Sequence, residues 1–201
     1  MLSGTSRVYS FILFSIAAIQ YSEFFCTFSK SLEALESLKK SYGDILPIMS
    51  FNAYSTDTRF GNSADWIERI ESVCNKKIIH TIADAEPLGP KFSLDALIIS
   101  PCTGNTLAKL ANGITDTPVC MAAKAHLRSN RPLVIALSSN DAMSANLGNI
   151  ATLLSRKNIY FVPMIQDDPV KKPHSLIADL DLLPNTLSDA LSGRQTRKLF
   201  T

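Results

Sequence analysis

The chain has 201 residues, 46% apolar and 19% charged, with 20 basic against 18 acidic side chains. A chain of this length and composition builds a core without a disulfide or metal, which argues against a disordered polypeptide or a small stapled scaffold. With a formal charge of +2 and no basic block, it disfavours nucleic acid as a partner.

Residues 7–21, RVYSFILFSIAAIQY, carry one basic side chain and then a mostly apolar run. The run is shorter than the roughly 20 residues of a membrane span, so no membrane anchor is expected. It reads as a buried first strand rich in Val, Ile, Phe and Tyr. A signal-peptide core, and hence secretion, is the alternative. Phe28, Leu32, Leu35 and Leu38 then recur at helical spacing, with Gly43 as the stop. ILPIMS reads as a short strand and FNAYSTDTRFGN as a loop. SADWIERIESVCNK reads as a helix with Ser63 as its N-cap and Trp66, Ile67, Ile70 and Val73 on one face.

EPLGPK is a turn, and DALIIS a strand buried on both sides. The stretch SPCTGNTLAKLANG follows and becomes helical, with Leu107, Leu110, Ala111 and Ile114 on its buried face. TPVCMAAKAHLRSN is a second helix with Pro118 in its first turn. RPLVIALSS is a strand, and NDAMSANLGNIATLLSRK a helix with Met143, Leu147, Ile150 and Leu154 in phase. NIYFVPM is a strand, QDDPVKKPHS a loop and LPNTLSDALSG a final helix. Strands alternating with helices predict an α/β fold: one Rossmann-like, doubly wound, mostly parallel sheet with helices on both faces, as a single domain over residues 1–201.

In such sheets ligands bind beyond the carboxyl ends of the strands. The loops after Ser50, Ser100 and Leu137 are rich in Ser, Thr and Asn, and the last two lead directly into helices. A helix N-terminus suits a phosphate or carboxylate. Ser50, Thr103, Gly104, Asn105, Thr106, Ser138, Ser139 and Asn140 are therefore the candidate cofactor-binding residues. Plain helix capping is the competing account of the same residue types. Asn105 and Cys102 are the catalytic candidates, Cys102 because a helix N-terminus lowers a thiol pKa. A buried small residue is the other account of Cys102.

The four cysteines lack paired short spacings, so no metal site is expected. His80, His126 and His174 lie far apart and read as surface or internally satisfied side chains. Asp167, Asp168, Lys171 and Lys172 form a mixed-charge loop between two prolines, either a solvated face or a docking surface. The chain has no G-x-G-x-x-G and no P-loop.

The segment SPCTGNTLAKLANGITDTPVCMAAKAHLRSNRPLVIALS resembles flavoproteins of the flavin prenyltransferase and cysteine-decarboxylase type. The stretches FNAYSTDTRFG, AEPLGPK, PCTGNTLAKLANGITDTPV, MAAKAHLRSNRP, SSNDA and QDDPVKKPHS together resemble the B subunits of dipicolinate synthases, over about residues 26–191. The resemblance implies a flavoprotein fold and a role in oxidising dihydrodipicolinate to dipicolinate during sporulation, with a stand-alone FMN-binding flavoenzyme or a non-catalytic scaffold subunit as the alternatives. It also implies a partner, the synthase's A subunit, carrying NADPH, and FMN as the cofactor of this chain. The dicarboxylate substrate or a flavin phosphate would sit at the helix that begins near Asn105. The expected setting is the cytoplasm of a sporulating mother cell, with the chain a homo-oligomer inside a larger complex.

Two departures accompany the resemblance. Relatives of this type carry a glycine- and serine-containing phosphate loop after the first strand, whereas no glycine lies here between Gly4 and Gly43. Residues 1–25 are thus an atypical N-terminal segment: a first strand without that loop. The decarboxylases' early histidine and late cysteine have no counterpart either, since the first histidine is His80 and the last cysteine Cys120. Nor does the prenyltransferases' Arg-Glu pair follow ALSSND.

Overall fold

The apolar runs of the sequence become the inner strands of one sheet. The computed structural model describes residues 12–16, 25–57, 61–88 and 94–201. Strands β1 (Ile12–Ile16), β2 (Ile45–Met49), β3 (Ala96–Cys102), β4 (Leu133–Ser139) and β5 (Ile159–Phe161) pair in parallel in the order 2-1-3-4-5. The carboxyl half of β4 also pairs antiparallel with β7 (Leu176–Ala178), and β7 with β6 (Met164–Ile165). β5 and the β6–β7 hairpin thus share one edge of β4, β5 along its first half and the hairpin along its second.

β3 and β4 are buried at every position, as parallel strands covered on both faces must be. Side chains alternate between two cores. Leu97, Ile99, Leu133, Ile135 and Leu137 pack against α5 (Gly104–Asn112), α6 (Pro118–Leu127) and α7 (Leu147–Leu154) through Leu107, Val119, Ile150 and Leu153. Ile98, Val134 and Ala136 face the other way. They meet Leu35, Ile70 and Leu187 of α1 (Phe25–Tyr42), α3 (Ser63–Cys74) and α8 (Leu183–Leu191).

Most helix boundaries follow their local signals. Thr117 caps α6 by accepting from Cys120 N, with Pro118 in the first turn where no amide is missed. α5 ends on Gly113 in the left-handed region, φ 70°. Four details differ from the sequence reading. Residues 51–55, expected as loop, form the short helix α2 (Phe51–Ser55). Asn62, not Ser63, occupies the N-cap of α3, because Ser63 turns its amide and hydroxyl onto Asp57 Oδ1 at 2.8 and 3.0 Å. The helix expected from residue 140 starts only at Leu147; before it, the amides of Ser144 and Asn146 both bond the Asp141 carbonyl. The strand expected over residues 158–164 is split between β5 and β6. A further short helix, α4 (Ile82–Ala85), precedes a turn of 3₁₀ helix.

The first strand is present as β1, between β2 and β3. The phosphate-loop expectation falls on residues 17–24, outside the described residues. At the far edge, the side-chain amide of Gln195 takes the place of a strand neighbour for β5. Its Oε1 accepts from Phe161 N at 2.8 Å, and its Nε2 donates to Phe161 O at 2.6 Å. Residues 199–201 run beside β6, exchanging backbone bonds with Met164.

Candidate functional site

The order 2-1-3 means that the chain leaves β1 for one neighbour and later returns on the other side. The connections therefore diverge at the carboxyl ends of β1 and β3, which opens a crevice there. The three sequence-predicted loops reach this edge.

After β3, Thr103 takes an extended backbone and caps α5, its Oγ1 accepting from Thr106 N at 3.4 Å. Gly104 comes next, and a side chain at this position would have to displace its neighbours. An added Cβ would lie 2.5 Å from Ser139 Oγ, 2.6 Å from Asn146 Nδ2 and 2.9 Å from Asp141 Oδ1. These three side chains form one network. Ser139 Oγ and Asn146 Nδ2 both donate to Asp141 Oδ1, the latter at 2.9 Å, and Asn149 Nδ2 donates to Asn146 Oδ1 at 2.9 Å. A carboxylate of the protein itself thus stands beside the first turn of α5, at the positive end of its dipole. Gly104 and Ser139, 35 positions apart in the chain, join the two loops into one block.

Within that block Thr103, Thr106 and Ser139 are buried, while Asn105 and Asn140 are exposed. Of these two, Asn140 also accepts at its Oδ1 from Ser175 Oγ at 3.5 Å. Cys102 is fully buried. Burial pushes its thiol far up, with Cys120 adding to the shift, and its Sγ donates to Thr103 O at 3.7 Å. A protonated thiol sealed in the core is no nucleophile, so burial corrects the catalytic assignment of Cys102.

Ser138 lies on the opposite face of β4 from Ser139. It is 1% exposed, and its Oγ has no hydrogen-bond partner among the described residues. A buried hydroxyl left without a partner costs about 1–3 kcal/mol, so Ser138 Oγ is a candidate hydrogen-bonding group at this edge of the sheet. On the same face Ser100 Oγ meets Ser31 Oγ of α1 at 3.0 Å. Both of these serines are wholly buried.

Ser50 stands apart from this block, two strand spacings or about 10 Å across the sheet from β3. It caps α2, its hydroxyl accepting from Ala53 N at 3.3 Å. Beside it Phe51 is 44% exposed, and the Tyr54 ring stacks on His80 at 3.8 Å with 3° between planes.

The histidines serve structure. His80 Nδ1 contacts Ile78 O at 3.3 Å. His126 bonds the Pro132 carbonyl through Nε2 at 2.9 Å, and burial pushes its pKa down to about 4. His174 is exposed and gives only its carbonyl, to Met143 N at 2.9 Å.

The sequence reading missed Asp141 and Asn146 as parts of the site. The polar run SSNDAMSAN was a visible signal, but its residues fit the start of a helix equally well. Among the described residues, no group of three or more His, Cys, Asp or Glu is placed to hold a metal. No described helix is long and apolar enough to cross a membrane.

Residues 22–180 match the family model described as Flavoprotein. The B subunit of dipicolinate synthase from Bacillus subtilis (strain 168) is 47% identical over 175 residues, 87% of this chain and 88% of that protein. The crystal structure of the dipicolinate synthase B subunit from Bacillus halodurans matches with a TM-score of 0.85 at 39% identity, over 96% of each chain. The FMN-dependent cysteine decarboxylase SpaF shares the fold at a TM-score of 0.66 and 21% identity, over 92% of this chain and 97% of SpaF. With most of its length matched in both sequence and structure, the chain belongs to the flavoprotein family, alongside the dipicolinate synthase B subunits.

Proposed function

We propose that the chain is the B subunit of a dipicolinate synthase and acts with an A subunit to convert dihydrodipicolinate to dipicolinate during sporulation. The observation that carries this reading is 47% identity to a dipicolinate synthase B subunit along 87% of the chain. The oxidation removes two electrons and two protons from the ring. FMN, when bound, supplies a two-electron acceptor for such a step. NADPH belongs to the A subunit in this reading.

The residues at the carboxyl edge suit a flavin and a dicarboxylate. The buried hydroxyl of Ser138, without a partner among the described residues, offers a hydrogen bond to a planar polar ring edge. Gly104 lets backbone and ligand approach closely, because nothing projects from it. The Asn105 and Asn140 carboxamides donate N–H groups to substrate carboxylates, which neutral donors orient without fixing a countercharge. Ser50 and Thr103 to Thr106 border the same crevice. Asp141 acts as a positioning residue, since it holds Ser139 and Asn146 against α5.

Purified chain mixed with the A subunit, in an assay of dipicolinate absorbance, tests the function. The expected result is product formation well above that of the A subunit alone; equal rates overturn it. A visible spectrum with and without added FMN tests the cofactor separately. A flavin band that remains with the protein through gel filtration supports the cofactor, and a colourless protein fraction rejects it.

A further inference from the structure

We propose that Asn149 is a positioning residue of the candidate site: its side-chain amide sets which way the Asn146 carboxamide faces, and through Asn146 and Asp141 it holds Asn105 and Asn140 in place for the substrate's carboxylates. This rests on the function proposed above, which is what puts the substrate on those two asparagines.

The first observation is a helix cap that is not made. Asn146 stands at the N-cap of α7, and Asn149 follows three residues later, within the first turn. An asparagine at an N-cap ordinarily turns its side-chain oxygen onto a backbone amide of that turn. Asn146 makes no such bond. Its Oδ1 accepts from the Asn149 side chain instead, and its Nδ2 donates away from the helix to Asp141 Oδ1, each at 2.9 Å. A local stabilisation is given up for a link to the neighbouring turn.

Hydrogen-bond chemistry fixes the order of the links. A carboxylate only accepts, so Asp141 draws the nitrogen of Asn146 toward itself, and the oxygen is left facing Asn149, where it needs a donor. Asn149 Nδ2 is that donor, and with Asn146 only 5% exposed, water is a poor substitute. An apolar group at position 149 leaves the buried oxygen unpaired. An acceptor there favours the reversed carboxamide, which sets oxygen against the Asp141 carboxylate.

The orientation reaches both loops. A Cβ on Gly104 would lie 2.6 Å from Asn146 Nδ2, so this nitrogen rests against the first residue of α5, and Asn105 is the next residue. Asp141 also takes the Ser139 hydroxyl, and Asn140 lies between those two in the chain. Asn149, half-buried on α7, lies outside both loops and acts only through Asn146.

Two variants separate this role from simple space filling. Asn149→Leu keeps the approximate size and removes the donor. Asn149→Asp replaces the donor by an acceptor at neutral pH and restores an O–H donor when the introduced carboxyl is protonated. Folding favours the protonated form, because Asn146 Oδ1 accepts its proton and the Asp141 carboxylate repels its anion. The folded-state pKa is thus raised, so the link is present at low pH and lost as the pH rises through that value. Among the described residues, the other charges on the packed elements are engaged elsewhere. Lys109 of α5 pairs with Asp116 at 2.8 Å, and Arg156 bonds the Leu110 and Ala111 carbonyls at the far end of α5. His174 meets the turn through its carbonyl.

The full chain is assayed with its A subunit, and its backbone amide exchange is measured alone, each variant against wild type at the same pH. Near neutral pH both variants should raise KM for dihydrodipicolinate about tenfold and leave kcat within about twofold, since the asparagines supply ground-state binding. Exchange at residues 104–107 and 139–142 should quicken about tenfold, with residues 51–55 unaffected. At about pH 5, Asn149→Asp should return to wild-type KM and exchange, whereas Asn149→Leu should not. Because Asn149→Asp is read against itself at two pH values, the comparison survives poor folding of Asn149→Leu. Wild-type KM in both variants overturns the proposal, as does a fall in kcat with KM unchanged, or a defect in Asn149→Asp that is equal at both pH values. A wild-type pair that makes no dipicolinate overturns the proposed function instead. Exchange that still recovers at low pH in Asn149→Asp then supports Asn149 as the residue that positions the two loops, and exchange that does not recover overturns it.

Discussion

The loops after β3 and β4 pack directly against each other, whereas the loop after β2 packs on α3 and on His80. On the first side Gly104 lies so close to Ser139, Asn146 and Asp141 that one methyl group has no room, and the Asp141 carboxylate gathers two donors. On the second side Ser50 caps a helix of five residues, Phe51 is 44% exposed, and Tyr54 and His80 stack on each other. One crevice thus has a fixed wall and an adaptable wall. The fixed wall costs sequence freedom at a single glycine. On the other wall the capping bond and the aromatic pair contribute about 1 kcal/mol each.

Gly104→Val should break the fixed wall most severely. The backbone φ there is ordinary, so the penalty comes from contact alone. Overpacking of this kind costs about 3 kcal/mol, read as a fall in thermal midpoint. A stability equal to wild type would mean that the loops are not joined as described.

The amino ends of the strands provide a contrast in pH. His126, buried beside the start of β4, is held near a pKa of about 4 against an ordinary 6.5, chiefly by burial. Below pH 6.5 the unfolded chain takes up a proton that the folded chain refuses. Stability therefore falls as pH drops from 6.5 toward 4, by about 3 kcal/mol over the window. His126→Gln, whose amide can still reach the Pro132 carbonyl, should flatten that part of the pH profile in chemical denaturation. An unaltered profile would remove the histidine from the account.

Asp141→Ala leaves Ser139 and Asn146 without their acceptor in a buried setting, a loss of about 2 kcal/mol. Hydrogen exchange at the first turn of α5 should rise in this variant, while α2 stays unchanged. Ser50→Ala removes one cap and should cost only about 1 kcal/mol, with faster exchange confined to residues 51–55. If exchange spreads across both walls in either variant, the division between them is wrong.

The division also explains what the sequence displayed. Continuous apolar runs made β3 and β4 plain, because strands covered on both faces cannot carry polar residues in their middles. Thr117 followed by Pro118 located the start of α6, because capping is local chemistry. Residues 51–55 did not look helical, since a single turn carries no periodicity and Ser50 alone supplies its signal. The turn before α7 was hidden for another reason. Asp141 and Asn146 are compatible with a helix, and what takes them out of one is the set of bonds that Ser139, Ser144 and Asn146 make to Asp141. Strands β6 and β7, of two and three residues, owe their pairing to the edge of β4 and not to their own composition. Thr103 to Thr106 and Ser138 to Asn140 were legible as candidate residues because cap chemistry marks strand-to-helix corners. Their mutual contact was not, because no spacing rule reports a distance between loops.

Gln195 and the residues beyond it carry one more consequence. An open strand edge invites a stranger's backbone, and here a single side-chain amide and a short tail occupy the places that a stranger would take. For anyone handling this protein, trimming residues 195–201 or stiffening them with a fused partner would expose sticky edges at β5 and β6. The safer position for a purification handle is one that leaves Gln195 on Phe161. At this edge one glutamine side chain stands in for the peptide bond of a further strand.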